Sequence, residues 1–178
     1  MKKHLFLLFL LVFPIVSVGQ DMINLHKNII KAKEPAFDAE FEGALYLASN
    51  FILQNHHLIG SKEYKAAERI VNYWKSREVW YKIPFNSKFH ESLKNDPNLV
   101  FISEVSFSNY ILNQKINQNR FLKCTSEKNK KEIKEVQLEA AKMVLKYCID
   151  NKITLPAETQ KYVEAYKTNK LEKVFFKK

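Results

Sequence analysis

Few residues in this chain are spaced to do chemistry, and the histidines come first. His56-His57 and His90-Glu91 are the pairs that could hold a metal or move a proton. Zinc asks for three or four ligands converging tetrahedrally, and helical sites supply them at three- or four-residue steps. Adjacent histidines project in different directions. The stretch His90-Glu91-Ser92-Leu93-Lys94 lacks the second histidine of a metalloprotease helix. We therefore expect His56 and His57 on a surface loop, with no metal and no cofactor.

Carboxylates are the next resource. Glycan cleavage needs two of them facing each other across a cleft. Glu40, Glu42, Glu78, Glu91 and Glu104 are available, and Glu104 stands apart because it lies in an otherwise apolar stretch. Burial there would suit it to acid catalysis, whereas a place on the helix rim would leave it solvated, and the rim is the expectation. Glu104 and His90 are thus the catalytic candidates. No serine stands in the strand-turn-helix elbow of an α/β-hydrolase.

Cys124 and Cys148 invite a disulfide in an oxidising compartment. If residues 128 to 148 form one straight helix, it is roughly 30 Å long. The few residues before it reach at most about 15 Å when extended. Bridged Cα atoms must lie within about 7 Å. The two thiols are expected not to pair with each other.

For binding, the aromatic stretch is the richest lead. Trp74, Trp80, Tyr81 and Phe85 lie close together, with Lys75, Arg77 and Lys82 between them. Exposed, Trp74, Arg77, Trp80, Tyr81 and Phe85 would make a stacking or interface surface. Buried, the aromatics would cover helix ends.

The elements that must position these groups are helical. Prolines 35, 84, 97 and 156 fall between apolar-periodic stretches, where a helix can start or stop without the roughly 3 kcal/mol penalty of an interior proline. Between Pro35 and Asn55, Phe37, Phe41, Ala44, Ala48, Phe51 and Ile52 line one face, widened by Leu45, Leu47 and Leu53. Residues 20 to 34 could make a shorter helix before it. Ser61 is a natural N-cap for a helix buried through Tyr64, Ala67, Ile70, Val71 and Trp74. Ser87 caps a short helix, and Asp96-Pro97 opens a long one running to Ile116. A regular helix spans about 128 to 148, and a last one is expected from Pro156 to the lysine-rich end. Residues 44 to 74 distantly resemble one tetratricopeptide repeat through Leu47-Ala48, Phe51, Tyr64, Ala67 and Val71. The connection is too long for that family, and no second copy follows at a matching period.

Composition narrows the function classes. The net charge is +10, and nearly all of it is lysine, the arginines being Arg69, Arg77 and Arg120. Phosphate and base recognition favours arginine's planar fork, so a nucleic-acid partner is not expected. Three glycines in 178 residues leave little for the tight turns of sandwiches, barrels or nucleotide loops. Lys2 and Lys3, the apolar run Leu5 to Val16 and the small residues Ser17-Val18-Gly19 read as a signal peptide cut before Gln20. That run is too short to span a bilayer.

Together these features predict an all-α fold: a single domain of five to six antiparallel helices over residues 20–178, as a bundle or helical-hairpin array, after a cleaved signal peptide at 1–19. The expected role is a periplasmic or secreted, non-catalytic binding or accessory protein of the cell envelope. Its partner would be a protein or glycan, with no integral span after cleavage. One alternative is a small envelope hydrolase using a carboxylate or histidine in an interhelical cleft. Another is a basic protein on a membrane surface or anionic polymer, to which the segment Lys167 to Lys178 would contribute.

Overall fold

The computed structural model describes residues 21–29, 31, 39–76, 81–124 and 129–177. The expected signal peptide at 1–19, Arg77 and Trp80 lie outside them. The chain is an all-helical single domain. Its contacts gather in two compact units, Met1–Arg77 and Glu78–Lys178.

In the first unit, residues 21–29 form α1, which buries Met22 and Ile29. Helix α2 (Ala39–Gln54) packs on α3 (Lys62–Lys75). Phe41, Ala44, Leu45, Ala48, Phe51 and Ile52 are buried, and Phe41 meets Tyr73 edge-on at 6.0 Å. The face is narrower than the sequence suggests, because Leu47 is 52% exposed. A short 3-10 turn, His56–Leu58, joins the pair. Gly60 then takes φ +89°, a left-handed value that a side chain would strain. Ser61 caps α3 as expected, its Oγ accepting from the Tyr64 N–H at 3.0 Å. Tyr64, Ala66, Ala67, Ile70, Val71 and Trp74 form its buried stripe.

The second unit is built on α5 (Pro97–Gln118) against α6 (Lys130–Asp150). Asp96 Oδ1 accepts from the N–H groups of Asn98 and Leu99, satisfying two of the orphan donors at the start of α5. Proline at the first helical position costs no hydrogen bond. The serines Ser103, Ser106 and Ser108 are fully buried on α5, where small side chains let a neighbour approach closely. Val136, Ala140, Ala141, Val144, Leu145 and Cys148 give α6 its apolar face. Outside that face, Tyr110 donates to Glu135 Oε1 at 2.7 Å, and Arg120 grips both oxygens of Glu135 at 2.8 and 3.0 Å. That fork lowers the Glu135 carboxyl, through the Arg120 hydrogen bonds first.

Around this pair lie α4 (Lys88–Ser92), α7 (Gln160–Lys167) and α8 (Leu171–Phe175). The expected single C-terminal helix is broken. A 3-10 turn at Ala157–Thr159 precedes α7, and Asn169 takes φ +54°, ending α7 before α8 begins. Asparagine tolerates that left-handed conformation better than most residues, so the break forms without a glycine. Leu171 and Phe175 are buried, so the apolar side of the lysine-rich end is docked while its lysines stay wet.

Leu112 is fully buried on α5 while Ile116, one turn on, is 44% exposed. Leu112→Ala should cost about 2–5 kcal/mol in urea unfolding. Ile116→Ala should stay within about 0.5 kcal/mol.

Candidate functional site

Chemistry in the second unit centres on Ser87 and His90. Ser87 precedes α4 in extended conformation, and its Oγ accepts from the His90 N–H at 3.3 Å. The same Oγ lies 2.6 Å from His90 Nδ1. A helix cap and a side-chain contact therefore share one hydroxyl, and both fix the imidazole.

Burial then decides its state. His90 is 1% exposed. Phe107 lies 4.6 Å from its ring, Phe89 5.1 Å, Phe85 6.1 Å and Phe175 6.2 Å. Nε2 has no hydrogen-bond partner. Desolvation among these rings pushes the imidazole down from 6.5 to about 3. In the tautomer that carries its hydrogen on Nε2, Ser87 donates to Nδ1.

A serine beside a histidine suggests a nucleophile and its base, but this pair is poorly tuned for that task. A base held near 3 accepts little charge at neutral pH, and a general base works best near the ambient pH. No carboxylate stands behind Nε2 to orient and stabilise an imidazolium.

Ser87 instead lines an open groove of about 320 Å³ with Lys88, Lys134, Gln137, Phe175, Phe176 and Lys177. Three elements build it. The turn into α4 gives Ser87 and Lys88, one face of α6 gives Lys134 and Gln137 at a three-residue step, and the end of α8 gives the rest. Lys134 Nζ sits 5.3 Å above the Phe176 ring, a cation–π contact that holds an ammonium at the wall. Gln137 Nε2 donates to Pro84 O at 2.9 Å and to Asn86 Oδ1 at 2.6 Å. Both amide hydrogens are therefore used in tying residues 84–86 to α6. The described lining holds three cations and no carboxylate.

The residues singled out by sequence are dispersed. Glu104 is half-buried on α5, outside the groove lining. His90 stands behind Ser87 without lining the groove itself. Trp74 and Tyr81 are 4% and 2% exposed, and Phe85 packs 5.2 Å from Phe107, so these aromatics are packed rather than presented. His56 and His57 lie in the turn between α2 and α3. Among the described residues no three potential metal ligands cluster, and no helix is long and apolar enough to cross a membrane. Cys124 and Cys148 are buried free thiols, each pushed up to about 12 chiefly by burial. Sequence reading identified Ser87 as a cap, but missed the groove. Its one local signal is the Lys134-to-Gln137 spacing on a single helix face.

No family model, curated protein or solved structure matches the chain.

The buried imidazole makes stability depend on pH. The unfolded histidine titrates near 6.5 and the folded one near 3, so the unfolded chain binds the extra proton first. Its stability contribution is complete above 6.5 and is lost as pH falls toward 3, at about 1.4 kcal/mol per pH unit. His90→Phe should flatten that part of the profile, measured as the difference in urea midpoints between wild type and variant from pH 7 to pH 4.

Proposed function

We propose that this protein is an exported binding or accessory protein of the cell envelope, without catalytic activity, and that the groove beside Ser87 is its contact. In this reading the leader at 1–19 is removed, the remaining helices run antiparallel, and the mature form works in the periplasm or outside the cell. The observation that carries the proposal is the groove lining, which joins three lysines to an aromatic wall and, among the described residues, contains no carboxylate. Such a surface attracts and holds an anionic partner but lacks a group to cleave it.

The hydrolase alternative has one point in its favour, the 2.6 Å contact between Ser87 Oγ and His90 Nδ1. The depressed basicity of His90 and its unpartnered Nε2 weigh against it. For the membrane-surface alternative, the burial of Leu171 and Phe175 removes the apolar face that would enter a bilayer.

Co-sedimentation with isolated envelope material separates these readings. The triple variant Lys88→Gln/Lys134→Gln/Lys177→Gln should lose at least ten-fold in retention, and Ser87→Ala should lose less than the triple variant. A hydrolase would invert that order: Ser87→Ala would abolish turnover of envelope material while the lysine variant kept it. Fractionation should find the mature chain beginning at Gln20 outside the cytoplasm.

A further inference from the structure

We infer that the groove takes an acidic sugar, namely the carboxylate-bearing ring of an anionic envelope glycan. This deepens the binding-protein reading and rests on it.

The argument starts from what the groove can still offer. Gln137 has used both amide hydrogens on Pro84 and Asn86, so only its carbonyl oxygen remains for a ligand. Ser87 accepts from the His90 N–H, and in the tautomer with the ring hydrogen on Nε2 it gives its own hydrogen to Nδ1, which leaves one lone pair. Two fixed acceptors must therefore be met by donors on the ligand. Lys88, Lys134 and Lys177 ask for negative charge. The Phe175 and Phe176 wall asks for an apolar face.

A uronic acid joins all three demands in one ring: a carboxylate, neighbouring hydroxyl donors and a C–H face. An acidic peptide would have to bring them on separate residues. Size points the same way. About 320 Å³ sits at the lower end of small-ligand pockets, about 300–1,000 Å³, and suits a ring or two of a chain that continues into solvent through the open side. A stable protein partner would cover roughly 800 Å² on each side. The lining cations are lysines, point charges that attract a carboxylate without fixing its orientation, so orientation falls to the neutral groups of the lining.

The test titrates the full chain with three probes at low salt: a trigalacturonate, its methyl ester and a glutamate oligopeptide of equal charge, followed by calorimetry and by amide shifts around the groove. The trigalacturonate should bind, with the ester at least ten-fold weaker and the peptide at least five-fold weaker. Raising salt should weaken binding further. Lys134→Gln, an exposed change that leaves the core intact, should cost at least five-fold, and Phe176→Leu should also weaken binding. A peptide that binds as tightly as the sugar, or an indifferent Lys134→Gln, overturns the glycan assignment and leaves the binding-protein reading standing. Failure of all three probes while envelope retention persists also overturns the assignment alone. Failure of the probes together with lost retention overturns both.

Discussion

An imidazole kept uncharged among aromatic rings is the constraint on which the second unit depends. Helices α4 and α8 have five residues each, far too few to persist in water. They exist because their aromatic side chains are shared. Phe89 meets Tyr162 at 5.2 Å and Phe175 at 6.2 Å, and Tyr162 meets Phe175 at 6.1 Å. His90 fills the remaining space between α4, α5 and α8. A protonated ring there would be a buried charge with no counter-ion, and the cost of burying it is what depresses its basicity. The packing that orders the two short helices therefore also keeps this side chain neutral.

The groove inherits its shape from that cluster. Phe175 belongs to both, with its ring against Phe89 and His90 while it also lines the groove. Phe176 packs on Phe175 at 5.1 Å and carries Lys134 above it. On the other wall, the cap that starts α4 holds Ser87, and the Gln137 amide holds the segment leading to it. Every wall is therefore anchored by an interaction that also serves the fold.

The punctuation of the chain was legible because caps and prolines act locally. Ser61, Ser87 and Asp96-Pro97 each mark a helix start by chemistry confined to four residues. The long helices followed from periodicity for the same reason. Two features escaped. The break at Asn169 depends on a backbone conformation that asparagine permits without requiring, and the surrounding lysines gave no period to interrupt. The groove escaped because its residues come from positions 87–88, 134–137 and 175–177, and nothing local ties them together. His90 was misleading in a related way. Read beside Glu91 it suggests acid–base chemistry, whereas its spatial neighbours Phe107 and Phe175, distant in sequence, make it a packing residue.

This division of labour has a consequence for recognition. Hydrogen-bonded acceptors and lysine cations would contribute differently to binding at the proposed site. Ser87 and Gln137 are oriented before any ligand arrives, so a partner that fails to supply donors leaves buried lone pairs unmet, a penalty of about 1–3 kcal/mol for each group. The lysines must give up side-chain freedom on binding and are screened by salt, so they contribute attraction more than discrimination. Selectivity at the proposed site would therefore reside in two neutral side chains. Sequence arguments that begin with titratable residues are drawn to Glu104, His56 and His57, and pass over the serine and glutamine of the groove lining.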